Sequence, residues 1–253
     1  MKTVNAIEIN DHWETFPATM GENRVWISYN QSYSKIAKSD SRNNSIQIRI
    51  KIKKPTEYGM PTNEEFPALL SLDESLEVAI TDIGGIYVGR LTVGGYRYFY
   101  YYVARSEKNI KNIVTNMANS SKYKIQMEWS IDPKKKEYWN NLYPTSDDIQ
   151  VIQDMKVLDA LMENGDLKDR KREVQHWAYF AKEDDSNKFK DWILEQGYML
   201  VFSGLSEKQD YLIKYTHNGT MHLSDITHHT IKSNRMARKL EGRYDGWETS
   251  VEK

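Results

Sequence analysis

The stretch Ser45-Ile46-Gln47-Ile48-Arg49-Ile50-Lys51-Ile52-Lys53-Lys54 decides how the chain is read. Isoleucine recurs at every second position with polar or cationic residues between, the period of a strand that buries one face and wets the other. Downstream, a loop from Pro55 to Pro61 leads to Thr62-Asn63-Glu64-Glu65, a capping-box pattern ahead of Phe66, Leu69, Leu72, Leu76 and Ile80 at helical spacing. Pro67 falls one turn in and implies a late start or a kink. Residues 85–93 and 96–104 read as two strands joined by Gly94-Gly95, a pair that accepts the positive φ values of a tight hairpin. Over 107–119, Ile110, Ile113, Val114 and Met117 share one helical face, and Tyr123, Ile125, Met127, Trp129 and Ile131 then alternate as a strand. The order is β-α-β-β-α-β, with further strand-like pieces upstream at 12–18 and 24–29.

Tyr143-Pro144-Thr145-Ser146 closes this unit, and a helix carrying Ile149, Ile152, Met155, Leu158 and Leu161 runs on to Gly165. Beyond it the pattern predicts a strand over 172–181 and a helix over 185–196 with Phe189, Trp192 and Ile193 on one side. Strands over 198–203 and 210–216, a helix over 224–240 and a last strand over 244–251 complete the chain. The same order has returned, preceded by one helix. The expectation is an α+β chain of two consecutive ferredoxin-like modules, domains 1–143 and 144–253, each an antiparallel sheet with helices on one face. Each sheet then has a helix-free face that must meet solvent, the other domain or a partner.

Composition bounds what such a chain does. Hydrophobic residues make up 39% of the 253, enough for packed cores. The formal charge of −1, from 35 basic and 36 acidic residues, speaks against a dedicated phosphate-backbone binder and hence against nucleic acid as partner. The absence of cysteine excludes disulfides, thiolate metal sites and cysteine nucleophiles, and suits a reducing compartment. From Met1 to Trp13 there is one lysine and no apolar core of about 7 to 15 residues, so no secretory signal is read there. No run approaches the ~20 apolar residues needed to cross a bilayer. These features predict a cytoplasmic protein without membrane attachment.

Few side chains suggest chemistry. His217, His222, His228 and His229 fall close together with Asp225, the best hint of metal binding or acid/base hydrolysis. Adjacent His228 and His229 would point about 100° apart on a helix, and the spacing matches no ligand motif. No metal and no cofactor is therefore assigned. The run Tyr96-Arg97-Tyr98-Phe99-Tyr100-Tyr101-Tyr102, with Arg49, Lys51 and Lys53, offers an alternative as a single-stranded RNA platform, although aromatics on both faces imply that one set is interior. Gly84-Gly85 and Gly94-Gly95 do not open helices as phosphate cradles do, so no catalytic residue is assigned.

The end of the chain reads differently. After the helix, Gly242 can supply a left-handed cap, Asp245 and Gly246 a bend or bulge, and Trp247 a core residue. Equally, Tyr244, Asp245, Trp247 and Glu248 can line a recognition surface, with His176 on a neighbouring strand joining Asp245 or Glu248 in a polar pocket. Tyr244-Asp245-Gly246-Trp247-Glu248-Thr249 resembles the ending of the regulator of ribonuclease activity B family, small bacterial proteins that bind and inhibit ribonuclease E. The resemblance covers about 146–253 and includes a leading helix with Asp147, Asp148, Asp154, Asp159 and Glu163; Glu248 departs where the family has a small residue. It implies a non-enzymatic binding or regulatory protein whose partner is a protein, a ribonuclease. His12-Trp13-Glu14-Thr15-Phe16-Pro17-Ala18, Pro61-Thr62-Asn63-Glu64-Glu65-Phe66, Tyr87-Val88-Gly89-Arg90 and Tyr98-Phe99-Tyr100 resemble the domain-of-unknown-function family 695 over about 11–143. That second resemblance implies architecture but no activity.

Overall fold

The computed structural model describes residues 11–253; the reading of the chain's start, Met1 to Trp13, as free of a secretory signal falls mostly on residues 1–10, outside the described range. The chain divides into two compact units between Tyr143 and Pro144.

The first unit runs β1 (Trp13–Met20), β2 (Asn23–Asn30), β3 (Asn44–Lys51), α1 (Phe66–Thr81), β4 (Ile86–Val93), β5 (Tyr96–Val103), α2 (Glu107–Ser121), β6 (Ile125–Ile131) and α3 (Lys136–Asn141). Its sheet has the order β1-β2-β4-β5-β3-β6, antiparallel throughout. The last four strands in that order form the split βαβ arrangement: the α1 crossover leaves a gap between β3 and β4 that β5 fills. The β1–β2 hairpin widens the sheet beyond β4. Ile46, Ile48 and Ile50 are fully buried with Leu69, Leu76 and Ile80 of α1 and Ile110 of α2, as the alternation requires. Asp73 of α1 is held by Arg90 at 2.9 Å and Arg97 at 2.8 Å, which joins the helix to β4 and β5 by an ion triad in which Asp73 and Arg97 are buried and Arg90 is half-buried.

Two local readings change. The Thr62-to-Glu65 stretch makes no capping box: α1 begins at Phe66 with Pro67 in its first turn, where a missing N–H costs nothing. Glu65 instead takes the N–H groups of Lys53 at 2.8 Å and Lys54 at 2.7 Å, just past the end of β3. The aromatic run of β5 is interior on both faces of the sheet: Phe99 and Tyr101 join the core under α1, and Tyr100 and Tyr102 lie on the opposite face. Phe99, Tyr100, Tyr101 and Tyr102 are buried, and only Tyr96 and Tyr98 are partly open. Tyr102 stacks on Tyr33 of a 3-10 helix (Gln31–Lys35) and donates to Asp132 at 2.8 Å, and Tyr138 of α3 donates to the carbonyl of Asn30 at 2.8 Å. Tyr100 and Tyr102 therefore belong to a second tyrosine layer, and most of the run is spent on packing instead of forming a solvent-facing base platform.

The second unit runs α4 (Ser146–Glu163), β7 (Arg172–Phe180), α5 (Glu183–Glu195), β8 (Met199–Leu205), β9 (Tyr211–Gly219), α6 (Leu223–Lys239) and β10 (Arg243–Glu248). Its antiparallel sheet is ordered β10-β7-β9-β8, again the split βαβ arrangement. Along β7, Val174, His176, Ala178 and Phe180 are buried beneath helices while Gln175, Trp177 and Tyr179 occupy the other face. Helix α4 starts at a reciprocal cap between Thr145 and Asp148 and packs on α6.

The end of α6 corrects the expected cap. Glu241, not Gly242, takes the left-handed conformation, with φ of +55°. Gly242 N–H closes the motif on the Ala237 carbonyl at 2.8 Å. Gly242 is glycine for another reason: a Cβ there would lie 2.3 Å from the buried Phe180 ring and 2.9 Å from the Tyr179 carbonyl. The last strand stops at Glu248, short of the expected 251. Gly242→Ala is expected to destabilise the second unit by about 1–3 kcal/mol through overpacking, read as a lowered urea midpoint. Unchanged stability would show that Phe180 can yield.

Candidate functional site

The expected partner-binding residues separate into two groups. Tyr244 and Trp247 are three positions apart, so plain alternation would send them to opposite faces of the sheet. Between them β10 carries a bulge against β7, with Gly246 at φ +130°, and the inserted residue restores both rings to the helix-covered side. Both are buried, at 8% and 7% exposure. Trp247 Nε1–H donates to Asp154 of α4 at 2.9 Å, and Asp154 also accepts from Thr230 of α6 at 2.5 Å and from Gln150 at 2.9 Å. Among the described residues no cation pairs with this fully buried carboxylate; burial raises its pKa and the three donors oppose that rise.

Tyr244 begins a chain of rings. Its hydroxyl lies 2.7 Å from His176 Nδ1, and His176 Nε2 lies 2.8 Å from His217 Nδ1. Nε2–H tautomers let Tyr244 donate to His176 and His176 to His217, and Nδ1–H tautomers run the same chain in reverse; His217 Nε2 is buried without a partner among the described residues in either. His217 stacks on His229 at 3.7 Å between centroids, and the hydroxyl of Tyr198 lies 2.8 Å from His229 Nδ1. Burial is the first cause that pushes all three histidines down, His217 to about 4 and His176 well below the usual imidazole range; neighbouring imidazoles add to it. They are neutral at pH 7.

This grouping differs from the one that sequence spacing suggested. His222 pairs with Asp169 at 2.7 Å and His228 meets Lys232 at 2.9 Å, both on exposed surface. His176, distant in sequence, replaces them. Asp225 accepts from the backbone and hydroxyl of Thr220 at 2.7 and 2.8 Å and stands 4.0 Å from His229. Among the described residues, no group of three or more His, Cys, Asp or Glu side chains is arranged to hold a metal ion. No spacing rule could have found the His176–His217–His229 set, because it forms across three separate elements.

Asp245 and Glu248 point the other way and are exposed, so His176 shares no pocket with either. Asp245 pairs with Arg243 along the strand. Arg243 and Asp245, together with Gln175, Tyr179, Phe202 and Lys214, border a depression of about 760 Å³ on the helix-free face of the second sheet. Lys214 lies over the Trp177 ring at 5.8 Å and Arg243 over Tyr179 at 4.9 Å, so cations and aromatic faces alternate across it.

Two measurements test the buried half of this arrangement. Trp247→Phe withdraws one donor from Asp154 and leaves a small cavity where the larger indole packed, and is expected to cost about 1–3 kcal/mol in chemical denaturation. A neutral result would mean that neither the hydrogen bond to Asp154 nor the indole's packing stabilises the unit. For the histidines, the folded pKa lies below the unfolded one, so their contribution is complete above about pH 6.5 and is lost as pH falls toward 4. Asp154, with a raised pKa, acts with the opposite sign. The decisive comparison is therefore with His217→Gln, whose denaturation midpoint should fall less steeply over that window than the wild-type midpoint does.

Among curated proteins none matches the chain significantly. Solved structures with similarity include one described as an unknown protein from Galdieria sulphuraria, at 9% identity and TM-score 0.22, covering 83% of this chain and 99% of that one. A putative glycine cleavage system transcriptional repressor follows, at 6% identity and TM-score 0.24, covering 82% and 98%. TM-scores this low do not establish a shared fold. Within the helix-covered sheet just described, residues 151–249 match the family model for regulator of ribonuclease activity B. Residues 11–143, over half of the chain, match the model of a family of unknown function, and the chain therefore belongs to that family, DUF695, with a C-terminal unit similar to regulator of ribonuclease activity B.

Proposed function

We propose that the chain is a non-enzymatic bacterial regulator that acts in the cytoplasm by binding a ribonuclease through its second unit. The observation that carries this reading is the depression on the helix-free sheet face, in a unit whose sequence matches a ribonuclease-regulator family. A regulator needs a surface whose side chains are not already spent on the core. Tyr179, Phe202, Lys214 and Arg243 supply aromatic and cationic groups there, the types enriched at the centres of protein interfaces. Among the expected partner-binding residues, Asp245 and Glu248 contact the partner, while Tyr244, Trp247 and His176 hold β10 in place from behind. No described helix is long and apolar enough to cross a membrane.

The test uses the full chain with purified ribonuclease E, measuring binding by calorimetry and RNA cleavage by gel. Wild type is expected to bind and slow cleavage. Tyr179→Ala and Asp245→Lys should each weaken binding about tenfold or more, near 1.4 kcal/mol, with an unchanged melting temperature. No binding at any tested excess, or full affinity in both variants, would refute the reading.

A further inference from the structure

The geometry points to β8 as a self-pairing edge: two copies of the chain join through antiparallel β8 strands, turning two four-stranded sheets into one continuous sheet of twice the width. Strand β8 lies at the end of its sheet, with β9 on one side and no strand on the other among the described residues. Unpaired edges are protected by charge, proline or local distortion in most proteins. The other three sheet edges here follow that rule. Strand β1 carries Glu14 and Pro17, β6 carries Glu128, and β10 carries Arg243, Asp245, Glu248 and a bulge.

Strand β8 reads Met-Leu-Val-Phe-Ser-Gly-Leu, with no charge and no proline, and its bulge falls near its start, between Leu200 and Phe202. Met199, Val201, Phe202 and Leu205 are 66%, 52%, 42% and 53% exposed. In a chain with 28% charged residues, an uncharged strand exposed on its edge is a specific feature. The same neutrality selects the occupant. A twofold antiparallel pairing sets the strand against itself, so no like charges meet and no charge is left without a partner.

Backbone geometry supplies a register. Ser206 N–H bonds the Asp210 carbonyl at 2.8 Å across the β8–β9 hairpin, and Leu205 pairs with Tyr211, Gly204 with Leu212 and Ser203 with Ile213. By strand alternation Gly204 directs its backbone groups toward β9, while Leu205 and Ser203 direct theirs away. With Gly204 on the twofold axis, Ser203 of one copy faces Leu205 of the second, and both present outward N–H and C=O groups. Phe202 lies over Gly204, its Cζ 3.1 Å from where a Cβ would stand, so the two glycines meet with a phenyl ring covering each.

Sedimentation velocity and light scattering on the full chain test this pairing. Wild type is expected at twice the 29.7 kDa of one chain at tens of micromolar. Ser203→Pro removes an outward N–H that β9 does not use, and should yield a monomer with unchanged circular dichroism. Leu205→Lys adds the charge this edge lacks and should do the same; it decides the matter if the proline variant fails to fold. A wild-type monomer at every concentration, which would leave β8 to a foreign strand, overturns the proposal. So does a dimer that survives both substitutions.

Discussion

A buried carboxylate held by neutral donors organises the second unit. Asp154 on α4 binds Trp247 of β10 and Thr230 of α6, so one side chain fixes the leading helix, the second crossover helix and the last strand together. Leaving a charge-capable group in a low-dielectric interior is costly unless donors surround it. Here an indole N–H, a hydroxyl and an amide do so. Each donor comes from a position that the fold must hold within hydrogen-bond reach, and Asp154 is thereby a geometric constraint on all three elements. The β10 bulge follows from it, since Trp247 can reach Asp154 on the same side as Tyr244 only if the strand gains a residue between them.

Much of the fold was legible because it rests on local periodicity. Alternating isoleucines defined β3, Gly94-Gly95 defined the hairpin, and two β-α-β-β-α-β orders led to two ferredoxin-like modules. Misreadings occurred where a residue's local chemistry competed with a distant demand. Glu65 looks like part of a helix cap but serves the backbone beyond β3. Gly242 looks like a left-handed cap but is small because Phe180 presses on it, and the neighbouring Glu241 carries the unusual φ. The short helix α3 and the 3-10 helix are too brief for a periodic signal; their tyrosines are placed by the sheet they cover.

The candidate site was legible only in part, for the same reason. The terminal motif was visible as a string, yet which of its residues face inward depends on a bulge and on Asp154, 93 positions upstream of Trp247. Asp154 itself reads as one more acid on a helix surface. The histidines show the reverse: four neighbours in sequence suggested a cluster, but helix geometry turns His228 outward while β7 brings in His176. Spacing along a chain reports contacts within one element. Contacts among β7, β9 and α6 require the crossover connections to be known first.

The two faces of the second sheet consequently answer to different constraints. On the helix side, Tyr244, His176, His217 and Trp247 are bound to one another or to Asp154, and a change in any of them disturbs packing and hydrogen bonding together. On the open side, Gln175, Tyr179, Lys214 and Asp245 project from the same strands but carry little of the core. Strand alternation thus lets one backbone present a fixed interior and a surface free to vary in charge and shape. The departing Glu248 lies outward as well, so the position where this chain differs from the ribonuclease-regulator ending is one where a charge changes the surface without entering the core.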